Sequence, residues 1–412
     1  MTSTLDVAII GGGAAGIAAA RHLTERKRSV LVIEALPRLG GRAFTRQING
    51  LPLDMGCGWL HSAERNPLAA LADTLGHPLD RRESAWSKQL GNIAFPPDEQ
   101  RAAWTAFEAL KDRLRETPPP SDRASDALPA SDRWRPFADG LSSFMNGAEL
   151  DQLSAEDFLA YEDSASEANW RLPDGYGAFI ADLGANVPVS LSTHVRSVSS
   201  DKDMALETDQ GVIRASAVIV AVSTAVLARN GIRFSPARDD HLEAASRLPL
   251  GVADKVFLAM NDPDAVPPES HLLGRTDRSE TGSYYLRPLG RPVIECFLGG
   301  AWARDLERQG PNAATAFAIE ELTHLLGGDF ARGLSPLTTT RWATEPTIGG
   351  SYSHAVPGHH AARAVLSRPV SERFCFAGEA CSAHDFSTAH GAWQSGIDAA
   401  RHIDTYLAGA HA

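Results

Sequence analysis

The first clear pattern in the chain is Val7-Ala-Ile-Ile10, four apolar residues after a single acid, followed by glycines. An unbroken apolar run of this kind reads as a strand buried on both faces, as in a parallel sheet. Ala14 to Leu23 is built from good helix formers, and Ser29 to Glu34 is a second β-rich run. Strand, helix and strand in this order predict a βαβ unit. Farther on, Arg101 to Arg115 places Trp104, Phe107, Leu110 and Leu114 near one helical face until Pro118-Pro-Pro120 ends the pattern. The Ser-, Asp-, Ala- and Pro-rich stretch through Ser131 reads as an exposed loop, and Pro173-Asp-Gly-Tyr-Gly177 as a turn into a helix. Short strands return between Val195 and Val222, where Val218-Ile-Val-Ala-Val222 is apolar throughout and reads as a central strand. Between residues 250 and 345, strand-like pieces flank one clear helix, Ala313 to Leu326, closed by Gly327-Gly328. A last strand, Phe374 to Ala377, precedes a glycine and a final helix.

A chain of 412 residues is too long for one core. The N-terminal unit, the middle strands and the C-terminal strand read as one α/β body assembled from residues 1–80, 171–249 and 346–412. Residues 81–170 and 250–345 read as an inserted α+β body. The net charge of −12 argues against nucleic acid or an anionic membrane as partner. Cys57, Cys296, Cys375 and Cys381 form no C-x-x-C pair and no zinc-ligand spacing. They read as reduced, packed thiols, which suits a cytoplasmic protein. The opening Met1 to Asp6 lacks the positive flank of a secretory signal, and the C-terminal Ala-Gly-Ala-His-Ala carries no anchor. The longest apolar run, near Ala215 to Ala228, is too short to span a bilayer.

Three glycine-containing segments carry the chemistry. Gly11-Gly-Gly13-Ala-Ala15-Gly16 fits G-x-G-x-x-G between a strand and a helix. The first glycine permits the tight turn, the second lets the backbone approach a pyrophosphate, and the third lets helix and strand pack closely. Glu34, after the second strand, is placed to accept hydrogen bonds from ribose hydroxyls. Leu39-Gly-Gly41-Arg42 adds two glycines for close approach and a planar fork for phosphate oxygens. Phe374-Cys-Phe-Ala-Gly378-Glu379 is a strand followed by a glycine and a carboxylate near the C-terminus.

Together these segments resemble the signatures of the flavin-containing amine oxidases, most of all the polyamine oxidases. The resemblance implies FAD as cofactor, a fold of the glutathione-reductase and amine-oxidase type, and Gly378-Glu379 against the ribityl and pyrophosphate region. It runs along nearly the whole chain. Gly56-Cys-Gly-Trp59-Leu-His61 resembles the segment that passes the flavin ring and ends in a histidine at the substrate. Leu248 to Leu258 resembles the segment whose lysine, here Lys255, holds a water against flavin N5. Trp342 and Gly350-Ser-Tyr352-Ser resemble the family's tryptophan and its cage tyrosine. Ser387-Thr388-Ala389-His390-Gly-Ala resembles the polyamine oxidase form of the last motif. By the same resemblance Val195 and Ala389 join the cofactor contacts, and His390 packs near the cofactor.

The departures concern the substrate side. Ser351 stands where monoamine oxidases carry the cysteine that bonds to FAD, which implies non-covalent flavin. Thr388 stands in place of a second cage tyrosine, leaving Tyr352 alone or helped by Phe386 or Trp393. The family's Val-Pro is here Val222-Ser223, and the chain is short, so trimmed substrate loops are expected. The implied reaction is oxidation of an amine, a polyamine or secondary amine favoured, to an imine by hydride transfer, with O2 reoxidising the flavin to give H2O2. Three other readings stay open: an L-amino-acid oxidase, for which no carboxylate-clamping arginine stands out in the sequence; a carotenoid or protoporphyrinogen-type oxidoreductase, which shares the N-terminal motifs but not the Lys-Val segment together with Gly-Ser-Tyr-Ser; and a non-catalytic flavin-binding protein.

Overall fold

The computed structural model describes residues 5–200 and 204–409; Met1–Thr4 and the last three residues, which belong to the stretches read above for targeting, lie outside them. In chain order the strands are β1 (Leu5–Ile10), β2 (Val30–Ile33), β3 (Thr45–Ile48), β4 (Leu51–Asp54), β5 (Val189–Ser190), β6 (Val195–Ser199), β7 (Met204–Thr208), β8 (Gly211–Val220), β9 (Arg233–Ser235), β10 (Ala253–Met260), β11 (Ser270–Leu273), β12 (Gly282–Leu286), β13 (Val293–Gly299), β14 (Leu334–Thr339) and β15 (Phe374–Phe376). The helices are α1 (Ala14–Glu25), α2 (Pro67–Leu75), α3 (Pro97–Glu116), α4 (Arg135–Asn146), α5 (Ala155–Glu162), α6 (Tyr176–Leu183), α7 (Thr224–Ala228), α8 (Asp239–Ser246), α9 (Gly300–Gln309), α10 (Ala313–Leu326), α11 (Gly328–Arg332), α12 (Ala362–Ser367) and α13 (Ala389–Gly409).

The apolar runs at Val7–Ile10 and Ala217–Val220 are parallel neighbours, with Val7 opposite Ala217 and Ile10 opposite Val220. Both are buried on each face. The sheet they centre has the order β5-β2-β1-β8-β7-β6-β9, and β15 pairs with the second half of β8, beyond the point where β7 ends. Because β1, β2, β8 and β15 run parallel, the chain leaves all four at one edge, through Gly11, Glu34, Ala221 and Ala377. That edge is where open α/β sheets bind ligands. α13 covers the sheet beside α1 at backbone contact: a Cβ on Gly396 would stand 2.0 Å from the Ala15 carbonyl oxygen.

The second sheet is antiparallel, β11-β12-β13-β10-β14, drawn from residues 253–339. Successive side chains on a strand point to opposite faces, and directly opposed residues share a face. Register therefore sorts the sheet. Lys255 opposes Phe297, Phe257 opposes Glu295, and Phe297 and Glu295 oppose Ser283 and Tyr285 in turn. His271 opposes Tyr285. All of these lie on one face. The other face carries Val256, Leu258, Leu272, Tyr284, Cys296 and Leu298, packed against Leu306 of α9 and Ala318 and Leu322 of α10.

Helices α3, α4 and α5 bury Phe107, Leu110, Phe137 and Phe158 in a further core, which Leu273 of β11 joins. The stretch expected to be an exposed loop contributes to it: Ala124 is fully buried and Leu128 is 5% exposed. The helix-breaking prolines set its local path, but Ala124 and Leu128 among the polar residues dock it, with Ala124 N bonded to the Leu153 carbonyl.

Candidate active site

A cavity of about 1040 Å3 runs from the edge of the first sheet to the polar face of the second. Most site residues expected from the sequence lie on its wall; Gly16, His390, Phe386 and Trp393 do not. Gly16 acts at one remove, because a Cβ there would come within 1.9 Å of the Gly11 carbonyl oxygen, closing the turn. Gly11 sits at φ +104, and a side chain would strike the Ala221 carbonyl at 2.6 Å. Gly13 faces the cavity, with nothing nearer than 3.9 Å to an added Cβ. No side chain caps α1, so its first-turn N–H groups and positive dipole end are available to an anionic group.

Glu34 accepts hydrogen bonds from the N–H groups of Gly12 (2.5 Å) and Leu36 (2.7 Å). Burial nevertheless pushes its carboxyl above the usual range. Arg42 uses one nitrogen, Nη1, to bond the Ser351 carbonyl (2.7 Å) and Glu379 (2.9 Å); its other nitrogens have no protein acceptor among the described residues. Glu379 is turned into the protein, accepting from Arg42, from Ser353 N and Oγ, and from Ser387 N. Against its burial, Arg42 and Arg363 hold its carboxyl below the ordinary value. Gly378, at φ +142 with nothing within 4 Å of an added Cβ, presents backbone to the cavity beside it. Gly56 passes so close to the Arg42 carbonyl that any side chain would collide, and Trp342 Nε1 donates to the Met55 carbonyl at 3.3 Å. Gly41, Ala15, Val195 and Ala389 complete this part of the wall.

At the other end Lys255 is 4% exposed. Its Nζ donates to the Asp54 carbonyl (2.9 Å) and lies 2.8 Å from Glu295 Oε1. Tyr352 lines the cavity and donates its hydroxyl to the Phe144 carbonyl; burial raises its pKa. His61 opens on the cavity, and its Nδ1 donates to Asn169 Oδ1 (2.7 Å), leaving Nε2 as an acceptor. The surrounding walls push its pKa down to about 4, so it is neutral near pH 7. Trp59 meets Trp86 at 4.5 Å and Tyr285 at 5.8 Å between ring centres. Thr388 is on the wall, but its hydroxyl donates to the Asp385 carbonyl and accepts from Gly391 N, capping α13. Cys57 also faces the cavity, its thiol pushed up by burial, which outweighs the opposing charges of Lys255 and Arg42.

Some expectations are displaced. His390 lies behind the wall, with Nδ1 3.2 Å from Asn66 Nδ2 and Nε2 3.2 Å from Asp385. Neither Phe386 nor Trp393 reaches the cavity; Phe386 stacks on Arg363 instead. Tyr161 of α5 does reach it, as do Phe297, Trp86 and Glu295. Of these, only Glu295 left a trace in the sequence: a lone acid inside the apolar run Val293-Ile-Glu-Cys-Phe-Leu298.

A model of the flavin containing amine oxidoreductases matches residues 14–404. The chain belongs to that family. It is an oxidoreductase with the family's FAD-binding α/β fold, and its cofactor is FAD. The cavity fits that group: an uncapped helix end and open glycine backbone for phosphates, Glu34 near the ribose position, and Lys255 at the far end. Among curated relatives, Polyamine oxidase 5 of Oryza sativa subsp. japonica is 30% identical over 98% of this chain and 89% of its own length. Polyamine oxidase 2 of Arabidopsis thaliana is 28% identical over 97% and 88%. Lysine-specific histone demethylase 1 homolog 1 of Oryza sativa subsp. japonica is 27% identical over 97% of this chain but 52% of its own length.

Proposed function

We propose that this enzyme oxidises a polyamine or another secondary amine to the imine, with FAD held non-covalently. The observation that carries the reading is the cavity lining, where Lys255, the rings of Tyr352, Phe297, Trp59 and Tyr285, and a neutral His61 share one wall, with Trp86 6.0 Å from the His61 ring. Aromatic faces attract an amine nitrogen and its cationic form, and a neutral imidazole accepts a hydrogen bond from a second nitrogen. The substrate's α-C–H bond breaks as hydride while the nitrogen lone pair forms the C=N bond; water then splits the imine to an aldehyde and a shorter amine. Bound FAD supplies the two-electron acceptor, and O2 reoxidises it with release of H2O2. Ser351 supports non-covalent binding: it cannot form a thioether, and its hydroxyl is engaged with the backbone of Ala253.

In this reading residues 1–80, 171–249 and 346–412 hold the cofactor, while 81–170 and 250–345 receive the substrate. The buried and half-buried free thiols support a reducing, cytoplasmic setting. Among the described residues no helix is long and apolar enough to cross a membrane.

A second reading, oxidation of an amino acid, has one observation in its favour. Arg291 lies on the cavity wall, fixed by the carbonyls of Pro52 and Pro173, with no carboxylate in ion-pair range among the described residues. Such a guanidinium suits a substrate carboxylate. One panel separates the two: peroxide release with spermine, spermidine, acetylated polyamines, benzylamine and L-amino acids, using parent and Arg291→Met enzymes. Polyamine turnover untouched by Arg291→Met supports the first reading. Turnover confined to amino acids and abolished by Arg291→Met replaces it.

A further inference from the structure

Glu295 is absent from every motif above, yet it is the one carboxylate in ion-pair range of Lys255 among the described residues. Its place follows from register. Lys255 opposes Phe297 and Phe257 opposes Glu295, so Glu295 reaches Lys255 along the diagonal of one sheet face, a span that long side chains cover. The ion pair closes at 2.8 Å. Lys255 is buried, and a buried ammonium without a counter-charge is strongly disfavoured. An ammonium carries three N–H donors. The Asp54 carbonyl accepts one at 2.9 Å and Glu295 stands against a second; no other protein acceptor reaches Nζ among the described residues. At least one N–H is left for the cavity. Gly58 leaves room for this arrangement, since an added Cβ would stand 3.3 Å from Nζ. Glu295 itself keeps 22% of its side chain exposed, and no protein donor reaches its second oxygen among the described residues.

We infer that Glu295 is the positioning residue for Lys255. It holds the ammonium on the cavity wall and fixes the direction of the remaining N–H toward the place where the reduced cofactor meets O2. The inference rests on the reading of Lys255 as a residue at the flavin, and not on which amine is the substrate. Reoxidation passes two electrons and two protons to O2 to give H2O2, and a fixed N–H donor assists where negative charge develops on oxygen.

The test needs no amine. The FAD-loaded enzyme is reduced by light and mixed with O2, and the reoxidation rate constant is read for parent, Glu295→Gln, Lys255→Met and the double variant. The flavin midpoint potential is measured for the same four. The expected result is that Glu295→Gln slows reoxidation about tenfold or more in the parent and less than about twofold in the Lys255→Met background, the non-additivity of two residues acting as one. The potential should shift with Glu295→Gln only when Lys255 is present. An unchanged or faster rate in Glu295→Gln overturns the inference, as does an equal slowing in both backgrounds. So does a Lys255→Met enzyme that reoxidises like the parent. If Glu295→Gln fails to hold FAD, Glu295→Asp replaces it, because the shorter side chain draws the carboxylate back from Nζ while keeping its charge: slowing that vanishes in Lys255→Met supports the inference, and no slowing sinks it. A parent that oxidises no amine would refute the proposed function and leave this result standing.

Discussion

At the residue scale, the chemistry of the cavity is set by enclosure. His271 is 4% exposed, its Nε2 lies 2.8 Å from the Ser283 hydroxyl, and burial lowers its pKa from 6.5 to about 4. Between those values the unfolded chain takes up a proton that the folded chain refuses. The contribution of this site to stability is therefore complete above 6.5 and is lost as pH falls toward 4, by about 1.4 kcal/mol per pH unit. His271→Gln keeps a hydrogen-bonding side chain but does not titrate. Its Tm should fall less than the parent's between about pH 7 and about pH 5, and an equal fall would mean that the imidazole is reached by water. Glu34 is held the other way, its carboxyl raised by burial while two backbone N–H groups donate to it. Glu34→Ala leaves the Gly12 and Leu36 donors unpaired and removes the acceptor proposed for the ribose. FAD retention through gel filtration should drop, at a cost of about 1–3 kcal/mol in binding. Retention equal to the parent's would place the ribose elsewhere.

At the element scale, helix ends carry both stability and site geometry. α13 runs over α1 with no side chain at Gly396 between them. Its N-terminus is closed by Thr388, whose hydroxyl accepts from Gly391 N at 3.0 Å. Thr388→Ala should destabilise the protein by about 0.5–2 kcal/mol, the usual cost of a lost N-cap, while Thr388→Ser should retain most of it. Denaturant unfolding of the holoenzyme distinguishes these. If Thr388→Ala unfolds like the parent yet alters kcat/KM for polyamines, the residue acts on the substrate and the cap is incidental. Thr388 thus serves the site from the backbone of a helix, a role that a motif match does not distinguish from a cage position.

At the scale of the whole molecule, one buried network joins segments far apart in sequence. Arg363 is 2% exposed and forks onto Asp157 of α5 at 2.5 and 2.8 Å. It also donates to Ser353 Oγ, which donates to Glu379, which pairs with Arg42. Asp157 in addition accepts from Ala355 N. The helical insertion and the cofactor cradle are therefore tied through a buried ion pair whose two members also bond to Ser353, Ala355 and His360. Asp157→Ala should cost about 3–5 kcal/mol, the range for removing one member of a buried ion pair, and a loss under about 1 kcal/mol in denaturant unfolding would show that water reaches Arg363. FAD adds to the same cohesion by mass action. Removing it should lower Tm, and restoring it to about a hundred times its Kd should return about 2.7 kcal/mol. A Tm independent of added FAD would mean that the cavity does not bind it in the folded state.

What the sequence by itself determined was whatever depends on a few neighbouring residues. The run Val7–Ile10, the positive φ of Gly11, the Gly16–Gly11 contact too tight for a Cβ, the helix from Ala313 to Leu326 and the strand at Phe374 are written in local terms. Such constraints hold wherever the segment sits, so they could be read in order along the chain and matched to a family. Tertiary structure alone decided the partners. Glu295 meets Lys255 because strands β10 and β13 pair in one register and not in the register one residue away, which would turn the carboxylate into the apolar core. Tyr161, and not Phe386 or Trp393, reaches the wall because α5 leans on the cavity while Arg363 holds the ring of Phe386 behind it. Glu379 faces inward because Arg42, Ser353 and Ser387 converge on it from three separate segments. Each of these choices balances burial against hydrogen bonding across tens or hundreds of residues, and no local pattern carries that balance.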